Sequence, residues 1–100
     1  MVRHVVIWKL KSGYSEDQKA SVKENIKDKL EALTDICEGI VDIKVHVNGL
    51  ESSNADIMLD SSFADSAALK TYASHPAHVK VATEDVVPFV AHRSCIDFEF

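Results

Sequence analysis

Hydrophobic and other residues alternate from the start of the chain. Val2, His4, Val6, Trp8 and Leu10 fall on one side of an extended segment, with Arg3, Val5, Ile7, Lys9 and Lys11 on the other. This is the two-residue period of a β-strand. The middle of the strand is apolar on both sides, so both faces of its sheet need cover. After a turn at Gly13-Tyr14, Ser15-Glu16-Asp17-Gln18 has the form of a capping box. Val22, Ile26, Leu30, Leu33 and Cys37 then recur at helical spacing. They predict an amphipathic helix of roughly five or six turns, ending near Gly39.

Residues 40–47 alternate again, Val41, Ile43, Val45 and Val47 against Asp42, Lys44 and His46. Asn48-Gly49 signals a turn. A third strand follows over 55–63, with Ile57, Leu59 and Phe63 on one face and Asp56, Met58 and Asp60 on the other. Asp65 can cap a short helix carrying Leu69 and Tyr72. Pro76 suits the first position of the next helix, where its missing N–H is not needed. Val79, Thr83 and Val86 continue its stripe until Pro88. The last strand covers 91–100, with His92, Ser94, Ile96, Phe98 and Phe100 on one face.

The order β-α-β-β-α-β, with the second helix broken in two, predicts an α+β protein: a single domain over residues 1–100 with a ferredoxin-like antiparallel sheet and helices on one face. Those helices leave the other face bare. The apolar residues on both sides of the first strand therefore predict a homodimer, two sheets packed face to face or closed into a barrel. The alternative is an open monomer with a few exposed apolar side chains.

Composition narrows the function classes. With 16 acidic against 11 basic residues and a net charge of −5, the chain repels the phosphates of nucleic acids and anionic membranes. Cys37 and Cys95 are its two cysteines. Without an export signal they read as reduced, small buried hydrophobes in a cytoplasmic protein. The apolar run Val5–Trp8 is too short to cross a membrane. No Gly-rich phosphate loop, serine-nucleophile motif, Cys–His pairing or dinucleotide fingerprint is present, which points away from hydrolases and nucleotide enzymes.

The candidate chemistry lies in Tyr72-Ala73-Ser74-His75-Pro76-Ala77-His78. It places a phenol and two imidazoles around the proline that joins two helical segments. Histidine exchanges protons near neutrality, and a tyrosine hydroxyl can hold a substrate oxygen. Tyr72 and His78 are expected to meet across the junction, with His75 at the start of the second segment. His4 is a polar group in an apolar row and needs a partner. One reading is structural: His75 and His78 tie down the junction, and Tyr72 packs. In a second, neutral His78 takes a proton and Tyr72 holds the developing oxyanion. A metal site from His75 and His78 with His4 or Asp56 is a poorer fit, because zinc needs three or four convergent ligands.

The opening Val2–Leu10, the phenylalanine-ended third strand and the Tyr72–Val79 motif together resemble the stress-responsive dimeric α/β-barrel (Dabb) family, over essentially the whole chain. The resemblance implies a ferredoxin-like subunit in a tight homodimer with a barrel-like core. The family includes plant heat-stable stress proteins, larger assemblies of dimers, and a polyketide cyclase of the olivetolic acid type that closes a ring by aldol condensation. Carried over from that cyclase, His78 is the general base and Tyr72 its hydrogen-bonding partner, with His4 and His75 also matched. Asp56 and Asn25 stand where the cyclase has a histidine and a tyrosine. The expected site thus has His78 and Tyr72 as the reacting pair, and His4, His75, Asp56 and Trp8 around a small apolar or aromatic ligand, with no cofactor and no metal. A homodimeric stress-responsive protein binding a small organic molecule, a cofactor-independent cyclase or lyase, and a purely structural protective protein are the readings carried forward.

Overall fold

The computed structural model describes all residues, Met1–Phe100. Four strands, β1 (Val2–Leu10), β2 (Ile40–His46), β3 (Ile57–Phe63) and β4 (Val90–Glu99), form one antiparallel sheet in the order β2-β3-β1-β4. Three helices, α1 (Glu16–Glu31), α2 (Ser66–Ser74) and α3 (Pro76–Val81), cover one face. This is the ferredoxin-like α+β arrangement that the element order predicts.

The local signals work as the residue types require. Ser15 caps α1 by accepting from the Gln18 N–H at 3.1 Å, and the Gln18 side chain accepts from the Ser15 N–H at 2.9 Å. Asp65 caps α2 through the Ala68 N–H at 2.8 Å. Gly39 adopts φ +85°, and a Cβ there would lie 2.8 Å from the Ala68 Cβ. Only glycine both turns the chain into β2 and lets α2 come this close.

Two elements differ from the periodicity reading. The first helix stops at Glu31 and tightens into a 3₁₀ turn over Ala32–Asp35, well short of Gly39. Thr34 and Asp35 are weak helix formers whose side chains compete for the backbone. Leu33 and Cys37 still reach the core, the latter with its N–H bonded to the Leu33 carbonyl at 2.9 Å. In the second helical region Val79 is 47% exposed, while Val81 and Val86 are buried. A π turn over Ala82–Val86 widens the spacing, so residues five apart share a face.

The core lies between the sheet and the helices, built from Val6, Trp8 and Leu10 of β1, Ile57, Leu59 and Phe63 of β3, and Ile26, Leu30 and Leu33 beneath them. The far sheet face has no helix. Ile7, Ile96, Phe98 and Phe100 are exposed there, and Val5 and Met58 are half-buried. At the β2 edge, the Glu31 carboxylate accepts from the Val45 N–H and from Lys27 Nζ, each at 2.9 Å, and Lys27 also donates to the Val45 carbonyl at 2.9 Å. The α1 side chains thus close part of an otherwise open strand edge.

Candidate functional site

A cavity of about 670 Å³ opens between the helix-side face of β1 and β4 and the α2–α3 junction, with His4, Tyr72, His78, Arg93, Cys95 and Asp97 among its walls. Its geometry follows from the sheet register. His4 pairs with Asp97 and Val6 with Cys95. Alternation then sets Arg93, Cys95 and Asp97 in one row on the same face as His4.

The helix junction supplies the other wall. The Pro76 ring starts α3, and His75 caps it: its Nδ1 accepts from the Ala77 N–H at 3.0 Å. His78 then turns back toward α2, and its Nδ1 lies 3.0 Å from the Ala73 carbonyl oxygen. A carbonyl only accepts, so Nδ1 carries the proton and, in the neutral ring, Nε2 holds the free lone pair. The His78 and Tyr72 rings approach to 4.3 Å between centroids at 44°. Tyr72 also packs on Phe63 at 5.1 Å and faces His4 at 6.5 Å.

The electrostatics favour an uncharged His78 ring and an uncharged Tyr72 hydroxyl. Burial holds His78 below the ordinary histidine value; the Ala73 bond opposes this, and His4, Arg93 and His75 add to the lowering. Burial, with a smaller effect of Cys37, pushes the Tyr72 phenol well above its usual range. Tyr72 is 1% exposed, yet its hydroxyl has no hydrogen-bond partner. A buried hydroxyl left unpaired is destabilising by about 1–3 kcal/mol. His4, by contrast, has its partner: Nδ1 donates to the Asp97 carboxylate. Cys95 lies 3.7 Å from that nitrogen and 3.6 Å from the Asp97 oxygen. Burial and the Asp97 carboxylate raise its thiol, against a lowering by Arg93.

Of the residues expected from sequence, the structure brings together Tyr72, His78 and His4. His75 stays at the junction as a helix cap and does not line the cavity. Trp8 is core, 6% exposed, four residues along β1 from His4, or about 13 Å. Asp56 lies at that same far end, where its Oδ2 accepts from the Leu10 N–H at 2.8 Å. Trp8 and Asp56 therefore lie outside this cavity. Sequence reasoning missed Arg93, Cys95 and Asp97. It followed the apolar row of β4 and passed over the polar row between, whose polarity on a helix-covered face was the available signal. Cys37 is buried as expected, but Cys95 is exposed at the cavity wall.

The strand order and the helix layer define the class: a ferredoxin-like α+β protein with its candidate site between helices and sheet. Residues 2–100 match the Stress responsive A/B Barrel Domain, Dabb, and the chain belongs to that family. It is similar, at 32% identity and a TM-score of 0.91 over 99% of this chain and 95% of the other, to a dimeric protein of unknown function and ferredoxin-like fold from Bacteroides fragilis. A Dabb family protein from Mesorhizobium loti shares the fold at 21% identity and a TM-score of 0.77, over 98% and 94% of the two chains. So does a hydroxynitrile lyase from Passiflora edulis, at 18% identity and 0.78, over 97% and 90%. No curated protein matches the chain.

Proposed function

We propose that the protein is a cytoplasmic homodimer of the stress-responsive Dabb type whose helix-side cavity receives a small organic molecule bearing a carbonyl or hydroxyl oxygen. The observation that carries this reading is the buried, partnerless Tyr72 hydroxyl beside His78 at the cavity wall. A ligand oxygen supplies the hydrogen bond that the fold withholds, and the apolar wall from Val2, Leu69 and Ala73 takes the hydrocarbon. The dimer is supported by the uncovered apolar face of the sheet and by the dimeric state of the Bacteroides fragilis protein. The two unpaired thiols support a reducing compartment.

The fixed tautomer of His78 favours a second reading, proton transfer without a cofactor. Nε2 is the basic nitrogen, and the lowered affinity of the ring for protons keeps it in the base form. It would take a proton from a carbon next to a carbonyl, leaving an enolate whose oxygen accepts from Tyr72. Alternatively, it would take the proton from the hydroxyl of a hydroxynitrile, whose C–CN bond then breaks to release cyanide and a carbonyl compound. The fold shared with a hydroxynitrile lyase is in keeping with such chemistry.

The test is an NMR titration with a panel of aromatic ketones, followed at the backbone amides of Leu69, Tyr72, His78 and Cys95. Binding that perturbs these amides and weakens at least about tenfold in Tyr72→Phe supports the pocket. Absence of binding by every ketone, or unchanged affinity in the variant, overturns it. For the proton-transfer reading, turnover of poly-β-keto thioesters or hydroxynitriles must fall in His78→Ala; equal rates remove it.

A further inference from the structure

We propose that His4, Cys95 and Asp97 form a site for a zinc-like divalent cation, with an open coordination position toward the cavity. The ligand atoms are His4 Nδ1, Cys95 Sγ and an Asp97 carboxylate oxygen, all within 4.8 Å of one another. Imidazole, thiolate and carboxylate together are a donor set for zinc or cobalt rather than magnesium or calcium, which prefer oxygen alone.

The spacing is close to that of a tetrahedral face. With zinc–sulfur bonds of about 2.3 Å and zinc–nitrogen or zinc–oxygen bonds of about 2.0–2.2 Å, neighbouring ligand atoms sit roughly 3.3–3.6 Å apart. Sγ lies 3.7 Å from Nδ1 and 3.6 Å from Oδ1. The His4–Asp97 hydrogen bond must open for the ion to enter. Asp97 can make that movement because its side chain is 46% exposed, whereas His4 is held at 11%. Metal binding replaces the imidazole proton shared with Asp97 and displaces the thiol proton, so protons are released as the ion binds.

The scaffold suits such a site. His4 stands on β1, while Cys95 and Asp97 stand two residues apart on the same face of β4, in register with it. Ligands on paired strands keep their spacing better than ligands on loops. Three protein ligands with a fourth position free is the pattern of zinc sites that bind or activate small molecules, and here all three side chains line the cavity. The proposal is independent of the ligand reading above, because an ion can be held with no organic molecule present.

The experiment is a titration of the reduced, chelator-free protein with Co²⁺, read by absorption, with Zn²⁺ added afterwards in competition. One Co²⁺ per chain is expected, with a sulfur-to-cobalt charge-transfer band that Zn²⁺ abolishes. Cys95→Ser should remove the band and Cys37→Ser should leave it. Asp97→Asn, whose amide oxygen can still accept from His4 Nδ1 but which removes the carboxylate charge, should weaken Co²⁺ binding at least about tenfold. Circular dichroism checks that each variant is folded. No band in the wild-type protein, a band that survives Cys95→Ser, or unchanged affinity in Asp97→Asn overturns the site.

Discussion

At the scale of single residues, the Tyr72 hydroxyl separates a ligand-facing group from a structural one. If this hydroxyl held the helix junction, Tyr72→Phe would destabilise the protein by about 1 kcal/mol or more. The structure gives it no partner, so the expected outcome is unchanged or slightly higher stability in urea denaturation, together with weaker ligand binding. His78 makes a complementary prediction. Its folded value lies below the ordinary 6.5, chiefly through burial. Below that pH the unfolded chain binds a proton that the folded chain still excludes. Stability is therefore full above about pH 6.5 and falls as pH drops through the lowered folded value. His78→Gln, which keeps an N–H for the Ala73 carbonyl, should flatten this acid limb when denaturation is measured from pH 7 to pH 5.

At the scale of elements, Glu31 joins α1 to the edge of β2. Burial works to raise its carboxyl, but the Lys27 and Val45 hydrogen bonds and the nearby positive charge outweigh it and leave the value below 4.5. Its contribution is in place above that value and is lost as pH falls beneath it. Glu31→Ala should destabilise the fold by about 1–2 kcal/mol at neutral pH. Hydrogen exchange should show the loss first in the β2 amides.

The elements were mostly legible in the sequence because their signals are local. The Ser15–Gln18 box, the Asp65 cap, Pro76 and the alternation of β1 all act within a few residues. The end of α1 was not, because apolar residues at Leu33 and Cys37 keep helical spacing through a 3₁₀ turn. The stripe after Pro76 was misplaced because a π turn changes the period from within. In the site, Tyr72 and His78 could be paired from the junction alone. Asp97 and Cys95 could not, because their meeting with His4 depends on which residue of β4 faces which residue of β1.

At the scale of the whole molecule, the bare sheet face is the surface that the proposed dimer would bury. Val5, Ile7, Met58, Ile96 and Phe98 make a contiguous apolar patch across three strands, while Arg3 lies over the Phe100 ring at 4.5 Å. A second copy placed on this face removes the patch from water. Sedimentation of the wild-type chain should show dimers, and Ile7→Glu combined with Ile96→Glu should give monomers at the same concentration.

Strand β4 lies at the sheet edge with Ile96 and Phe98 on its outward face and Cys95 and Asp97 on its inward face. Alternation along one backbone thus places the surface of the proposed dimer and the ligands of the proposed ion site on opposite sides of the same strand. If the proposed partner braces this edge strand, diluting the protein until its copies separate should lower occupancy of the pocket even where the ligand is held constant.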